Sequence, residues 1–272
     1  MTSATFLPPS WGRDRKIGLL RALRLAPAAP FAAGVALILV LLALWQAVVA
    51  AGLISPLIAP APLTIIASFP TLITDEGLLQ RFLQTFIEAL IAAGLAVLIG
   101  TPFGWWLHAQ RWAGRAYENW VASFAAAPLV LLYPLFLVIF GRNAGTIVVM
   151  SFLTGLPAVV LKTKEGLDGI RPVLINVGRS YGLGPAQLFW KIMLPAAVPT
   201  ICNGARLGLI FALISVVGIE FLINFGGLGE LIDDLAQRWE IPMMYGAIFF
   251  VVLTSVCFFY ITEKLERWIR PQ

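Results

Sequence analysis

The composition of this chain excludes an ordinary soluble protein. Of its 272 residues, 60% are hydrophobic and 12% are charged, about half the charged fraction of a typical soluble domain. The net charge of +5 would suit nucleic acid, but the cations cluster between apolar runs, which is typical of a membrane protein. Cys202 and Cys257 both lie inside apolar runs, which disfavours a disulfide framework or a metal site.

Six apolar runs are long enough to cross a bilayer core of about 30 Å. We therefore predict an all-α, polytopic fold with residues 30–272 as one transmembrane domain, preceded by a cytoplasmic segment at residues 1–29. A cleaved signal peptide would have a shorter basic region and a shorter apolar region, so the first run is expected to remain as a helix. The predicted spans are Pro30–Leu53, Gln84–Leu107, Trp120–Phe140, Ala144–Leu161, Val198–Ile223 and Met244–Thr262.

The basic residues predict the orientation of these spans. When the segments between them are assigned alternately to two sides, the lysines and arginines fall overwhelmingly on one side. That side holds Arg13, Arg15, Lys16, Arg21, Arg24, Arg111, Arg115, Lys162, Lys164, Arg171, Arg179, Lys191, Lys264, Arg267 and Arg270, and the other holds Arg81, Arg142 and Arg238. The positive-inside rule then places both termini in the cytoplasm, in agreement with an even number of spans.

The sequence lacks the motifs of common hydrolytic and nucleotide-binding sites. It contains no HExxH, no CxxC and no GxxxxGK[ST], and no GxSxG precedes a suitable histidine. The single histidine, His108, falls at the end of the second span and is expected to be interfacial. We therefore predict no catalytic residue, no metal ligand and no cofactor in this chain, which disfavours an intramembrane enzyme.

Two glutamates fall within the predicted spans. Glu88 lies near the outer end of the second span, opposite to the end that carries His108, and is expected at the membrane interface. Glu220 lies deeper in the fifth span. An intramembrane carboxylate is costly and often functional, yet Glu220 is equally compatible with a structural role, bonded to backbone amides near Gly226 and Gly227.

Prolines and glycines mark the third to fifth spans as irregular, and irregular helices can turn backbone groups towards a water-filled path. We predict that these three spans line a path through the protein. The candidate lining residues are Tyr133, Ser151, Thr154, Ser215 and Glu220.

The segment between the fourth and fifth spans, residues 162–197, is charged and bent. Gly182-Leu183-Gly184-Pro185 interrupts a helical pattern, the stretch from Ala186 to Ile192 is amphipathic, and Leu194-Pro195 closes the segment. An amphipathic loop lying on the lipid surface is one interpretation, but it leaves the bend glycine and the closing proline unexplained.

This segment resembles the EAA loop of the inner-membrane permeases of binding-protein-dependent ABC transporters. That pattern has EAA, three residues, glycine, nine residues and then Ile-x-Leu-Pro. Gly182 and the sequence Ile192-Met193-Leu194-Pro195 match it in full, whereas Asn176, Val177 and Gly178 occupy the EAA positions.

Other stretches are similar to the nitrate, sulfonate and taurine branch of these permeases. They include PLFLVIFG at residues 134–141, GARLGL at residues 204–209, and Glu220 followed by Gly227-Leu228-Gly229. The resemblance extends from about Pro60 to Arg270.

The resemblance implies a multi-pass permease subunit in the bacterial inner membrane. It would pair with a second copy of itself, and the loop at residues 162–197 would dock on cytoplasmic ATPase subunits that bind ATP. A periplasmic or lipid-anchored binding protein would deliver a small solute such as nitrate, a sulfonate or taurine. The residues expected at the ATPase contact are Tyr181, Gly182, Leu183, Gly184, Gln187, Leu188, Phe189 and Pro195.

Within that set, Leu188 and Phe189 are expected to form an exposed apolar knob, Gly182 to fix the bend, and Pro195 to end the segment. The competing hypothesis is a secondary transporter or channel that is not coupled to ATP. Such a protein should show inverted repeats, more intramembrane charges or paired broken helices.

Overall fold

The computed structural model of the chain describes residues 29–269, and every regular element in that range is helical, which confirms the all-α prediction. By contact density the chain divides into Met1–Thr64 and Ile65–Gln272. Most of the predicted cytoplasmic segment, residues 1–29, lies outside the described residues. The helices are α1 Ala29–Ala50, α2 Pro62–Ala67, α3 Phe69–Thr74, α4 Leu78–Ala109, α5 Arg111–Ala126, α6 Tyr133–Phe140, α7 Ala144–Asp168, α8 Pro172–Ser180, α9 Pro185–Leu188, α10 Leu194–Ile223, α11 Gly227–Gln237 and α12 Ile241–Ile269.

Within the described range, five helical segments are long and apolar enough to cross a membrane, at Ala32–Ala50, Leu78–Ala109, Ala144–Asp168, Pro185–Ile223 and Ile241–Lys264. Each corresponds to one of the predicted spans. The remaining span, predicted at Trp120–Phe140, is wrong as one continuous helix.

In its place, α5 meets the segment Leu129–Phe140 at an angle of 78°. Pro128 lies at the break, and the residue before a proline is driven away from helical backbone angles. Ala127 accordingly adopts an extended conformation, with φ −71° and ψ 134°. A sixth span exists if this bent pair crosses the membrane as one unit.

Two segments that lie between the predicted spans are largely helical. The stretch Glu230–Met243 contains most of α11, and residues 162–197 contain the end of α7, all of α8 and α9, and the start of α10. The reason is that an apolar run marks where the lipid core begins, whereas an amphipathic helix continues into charged sequence as long as one face can pack.

The centre of the molecule is built by α4, α7 and α10, which approach closely at glycines. A Cβ atom on Gly155 of α7 would lie 2.6 Å from the carbonyl oxygen of Gly208 on α10, and one on Gly104 of α4 would lie 2.6 Å from the carbonyl oxygen of Val160. Small residues allow membrane helices to approach to backbone contact. Helix α7 runs through Gly155 and Pro157 without a break, so these residues serve packing and do not interrupt the span.

A charged contact links the start of α4 to the end of α11. The guanidinium of Arg238 donates two hydrogen bonds to the carboxylate of Glu76, at 2.9 and 2.8 Å, and a third to Asp234 at 2.8 Å. The hydrogen bond from Arg238 holds the pKa of Glu76 below its usual value. This bidentate geometry fixes the corner between α3 and α4 against α11.

Candidate functional site

The end of α8 forms a glycine-dependent bend. The amide of Gly182 donates to the carbonyl of Arg179 at 2.9 Å, and the amide of Leu183 donates to the carbonyl of Gly178 at 3.2 Å. These are the two bonds of a Schellman cap, whose central residue adopts the left-handed conformation. Gly182 has φ +72°, and a Cβ there would meet no atom within 4 Å, so glycine is favoured by backbone conformation and not by lack of space.

A second glycine holds the two arms of the bend together. A Cβ on Gly178 would lie 2.5 Å from Cδ1 of Ile192 and 2.6 Å from Cδ1 of Leu188. Leu188 is only 8% exposed as a result. Gly178 occupies the last EAA position, and the close contact explains why that position carries a very small residue.

The exposed apolar surface of the loop lies on α8. Tyr181, just after the helix, is 82% exposed, and three further apolar side chains share its face of the helix. We call this surface the α8 strip; it consists of Val173, Leu174, Val177 and Tyr181. Large apolar side chains exposed together on one helical face indicate a docking surface.

The structure does not show the exposed knob expected from Leu188 and Phe189. Leu188 packs into the loop, and Phe189 is half-buried, with its ring centroid 5.6 Å from that of Trp105 on α4. Of the other residues predicted at the ATPase contact, Gln187 is exposed and its Oε1 accepts a hydrogen bond from the amide of Gly184 at 3.3 Å. The contact itself stays a prediction.

Pro195 does not end the segment, contrary to expectation. Helix α9 continues through a wide π turn, Phe189–Met193, directly into α10, so that Pro185–Ile223 is one helical run. The amide of Leu194 donates to the carbonyl of Phe189, five residues back. A proline has no amide proton to donate, and the wider turn accommodates it within the helix instead of terminating it.

A buried carboxylate lies at the other end of α10. Glu220 is fully buried. The hydroxyl of Thr85 on α4 lies 2.8 and 3.0 Å from its two carboxyl oxygens, and the amide of Gly229 on α11 donates to Oε2 at 2.9 Å. The amide of Leu228 donates to the Thr85 hydroxyl at 2.8 Å. Glu220 therefore ties three helices together, which supports the structural interpretation of this residue.

The glycines after Glu220 make room for this carboxylate. Gly226 and Gly227 have φ of +69° and +74°, and a Cβ on Gly227 would collide with the carboxyl group of Glu220. A Cβ on Gly229 would lie 2.7 Å from the amide nitrogen of Phe221. The sequence Gly227-Leu228-Gly229 is thus required for α11 to begin against α10.

Glu88, expected at the membrane interface, is buried inside the protein. It is 5% exposed and accepts a hydrogen bond from Nε2 of Gln84 at 3.0 Å. Helix α4 begins at Leu78, six residues before the predicted start of the second span. The depth of Glu88 in the membrane stays a prediction.

The predicted path residues do not form one site. The hydroxyls of Thr154 and Ser215 lie 3.2 Å apart across α7 and α10, and Ser151 is buried on α7 without a hydrogen-bond partner among the described residues. Tyr133 is half-buried at the start of α6, against the central core. None of the five is exposed, so their lining of a path stays a prediction. Within residues 29–269, no three His, Cys, Asp or Glu side chains cluster closely enough to hold a metal ion.

Sequence reasoning missed Thr85, Gln84 and Gly229 as partners of the buried glutamates. A signal was available in the sequence. Gln84 and Thr85 lie one helical turn before Glu88 in a mostly apolar helix, where an unpaired polar group is costly.

The helical arrangement and the apolar spans define a polytopic membrane protein. The fold is similar to that of a chain in the structure titled "Inward facing conformations of the MetNI methionine ABC transporter", with a TM-score of 0.63, 20% identity, and coverage of 71% of this chain and 96% of that one. Residues 95–271 match the family described as "Binding-protein-dependent transport system inner membrane component". The chain belongs to this family, and is the permease subunit of an ABC transport system.

Curated relatives agree with this assignment. The putative aliphatic sulfonates transport permease protein SsuC of Bacillus subtilis is 28% identical over 86% of this chain and 87% of its own length. The taurine transport system permease protein TauC of Escherichia coli is 24% identical over 85% and 86%. These findings support the permease interpretation over a secondary transporter or channel, and they imply an ATPase subunit and a substrate-binding protein as partners.

The bridge between Thr85 and Glu220 can be tested by replacing Thr85 with valine, which keeps the shape and removes the hydroxyl. We expect Thr85→Val to destabilise the protein by about 1–3 kcal/mol, since the amide of Leu228 and the carboxyl of Glu220 lose a buried partner. The measurement is thermal unfolding of the purified protein in detergent.

Thr254→Val is the matched control. Thr254 is equally buried, but its hydroxyl donates only to the carbonyl of Phe250 in its own helix, at 2.8 Å, so its loss should matter less. Equal unfolding temperatures for the two variants would show that the bridge contributes nothing.

Proposed function

We propose that this permease serves an importer of small sulfonates such as taurine, that it works as a homodimer, and that the α8 strip docks on a separate ATPase subunit. The observation that carries the docking proposal is the strip itself: four apolar side chains on one helical face, outside the predicted spans and held by a fixed bend. The names of the relatives over 85% or more of this chain support the substrate class.

The mechanism proposed for this subunit is mechanical. ATP binds and is hydrolysed in the partner, since the sequence contains no GxxxxGK[ST] loop that could hold its phosphates. Closure of the ATPase pair moves the two docked loops, and the rigid helices joined to those loops reopen the path on the opposite side. This is a rigid-body switch between two arrangements of packed helices. The chain itself performs no covalent chemistry.

The coupling surface follows from the geometry of the loop. Tyr181, Gly182, Gln187 and Pro195 are the exposed members of the set chosen from the sequence, and the α8 strip extends that surface with Val173, Leu174 and Val177. Gly182, Gly184 and Leu188 shape the bend that presents the strip. An aromatic side chain at the centre of an interface often carries much of the binding energy, and we assign that role to Tyr181.

The orientation proposed for the loop is cytoplasmic, with both termini on the same side, because the basic residues concentrate there. In a background with Cys202 and Cys257 replaced by alanine, a cysteine at Ser180 should resist a membrane-impermeant thiol reagent in intact cells. A cysteine at Ser55 should react. Labelling at Ser180 but not at Ser55 would invert the topology.

The coupling contact is tested by Tyr181→Ala. Because Tyr181 is 82% exposed, truncation should leave folding unchanged, but we expect the affinity for the ATPase to fall by about 2 kcal/mol, or roughly thirtyfold.

Gly182→Asp should leave the helices inserted and abolish ATPase association or transport, because the φ of +72° at this position strains any side chain. Co-purification with the partner ATPase measures both effects.

Val138→Ala is the matched control for Tyr181→Ala. Val138 on α6 is an apolar side chain with 85% exposure, remote in sequence from the loop. It should co-purify with the ATPase as the unmodified protein does. If Tyr181→Ala and Gly182→Asp both assemble and transport at the normal rate, the coupling surface lies elsewhere.

The function as a whole is tested in liposomes that contain this chain, its ATPase and its binding protein. We expect ATP-dependent uptake of radiolabelled taurine, competed by aliphatic sulfonates. ATP hydrolysis stimulated by the binding protein without taurine uptake would disprove the substrate class and leave the permease assignment intact. Uptake without ATP would contradict the coupled mechanism.

A further inference from the structure

A basic cavity of about 220 Å³ lies where α4, α5 and α7 meet, near the end of α4 that faces the loop. It is rich in charge: four of its lining side chains are basic or histidine and two are acidic. The ionisable residues that line it are His108, Arg111, Arg115, Glu118, Lys164 and Asp168.

The acidic groups of this cavity are already paired. Nζ of Lys164 lies 3.0 Å from a carboxyl oxygen of Glu118 and 2.7 Å from one of Asp168. The other oxygen of Asp168 lies 2.5 Å from Nδ1 of His108. The cavity therefore holds three lysine and arginine charges against two carboxylates, a surplus of one positive charge, and both carboxylates lie against Lys164.

Arg111 and Arg115 take no part in these ion pairs. Neither forms an ion pair with another described residue, and both are exposed. They lie one turn apart on α5, so that both guanidinium groups reach the same side of the helix. Guanidinium groups bind phosphate oxygens in bidentate fashion, and two on one face make a phosphate-binding pair.

An apolar groove adjoins this cavity. It measures about 690 Å³, within the range of about 300–1,000 Å³ that is usual for ligand sites, and its lining is mostly apolar. His108 lines both the groove and the basic cavity, so the two adjoin at this residue. The groove runs between α4 and the π turn, with walls that include Thr101, Pro102, Trp105, Ala109, Pro185, Phe189, Trp190 and Met193.

We propose that the groove and cavity together bind an anionic phospholipid. The phosphate lies against Arg111 and Arg115, and an acyl chain lies in the groove along α4. The charge pattern selects this occupant, because the apolar groove lies along a membrane-spanning helix and adjoins a cavity in which two arginines form no ion pair with another described residue. The exposed indoles of Trp105 and Trp190 are suited to the boundary between acyl chains and headgroups. The inference is independent of the transported solute and of the ATPase contact.

Binding of this lipid would involve the loop at residues 162–197 directly. Phe189 and Trp190 belong to the π turn and form the wall of the groove opposite α4. A lipid chain between the two walls contacts both a membrane helix and the loop, so its occupancy favours the arrangement of the loop seen here.

The test uses the full-length purified chain in detergent, titrated with phosphatidylglycerol or phosphatidylcholine and analysed by native mass spectrometry. We expect phosphatidylglycerol to bind about thirtyfold more tightly, since each basic residue near an anionic lipid contributes a factor of roughly five. The double variant Arg111→Gln/Arg115→Gln should lose this preference. The double variant Arg142→Gln/Arg171→Gln removes the same charge from outside the cavity and should retain it.

A second variant separates a lipid from a free anion. Ala109→Phe keeps both arginines and fills the groove with a ring, so it should weaken phosphatidylglycerol binding several-fold. An excess of inorganic phosphate should not displace the lipid from the unmodified protein. If the arginine variant fails to fold, Ala109→Phe and the phosphate competition still decide the question.

The proposal is overturned if the two lipids bind equally or if the arginine double variant keeps its preference. It is also overturned if phosphate displaces phosphatidylglycerol completely, which would make the cavity a simple anion site. Disulfide crosslinking between two copies through cysteines at Ala109 and Trp190 would identify the groove as a contact between protomers instead.

Discussion

The fully buried carboxyl group of Glu220 is the constraint on which the far end of the molecule depends. A carboxylate is stable inside a protein only when donors surround it, and here the donors come from α4 and α11. Because Thr85 serves Glu220 and the amide of Leu228 at once, the three helices cannot separate without exposing several polar groups. The positive φ of Gly226 and Gly227 and the close contact at Gly229 follow from the same requirement, since α11 must begin against this carboxyl group.

Close packing at glycines also holds helices together at the centre of the molecule and within the loop. Contact at Gly155 and Gly208 brings α7 against α10, and contact at Gly178 closes the two arms of the bend over Leu188 and Ile192. The loop is thereby a preformed surface that does not have to fold when it meets a partner. Preorganisation of this kind lowers the entropy lost on binding, so a modest apolar strip suffices for a specific contact.

The sequence predicted the class of fold and the glycine bend because both depend on local signals. Apolar runs mark the spans, and Gly182 with Ile192-Met193-Leu194-Pro195 marks the bend. It failed where tertiary contacts decide. The burial of Leu188 depends on Gly178, and the continuation of the helix through Pro195 depends on a π turn. The burial of Glu88 depends on the packing of α4 against α10 and α11. The partnership of Thr85 with Glu220 joins residues 135 positions apart, which a single sequence cannot reveal.

The uninterrupted helical run from Pro185 to Ile223 has 39 residues, which corresponds to a rod about 58 Å long. One end of this rod is the bent loop, and the other end lies beside the clamp, which consists of Glu220, the hydroxyl of Thr85 and the amide of Gly229. A continuous helix resists compression, so a push on the loop acts on the whole rod and arrives as a tilt or twist at the clamp. Its weakest point is the π turn at Phe189–Met193, where the hydrogen-bond ladder is irregular. Any bending between the loop and Glu220 is therefore concentrated in the five residues of the π turn, Phe189–Met193. The stiffness of this turn determines how much of a displacement of the loop reaches the other end of α10.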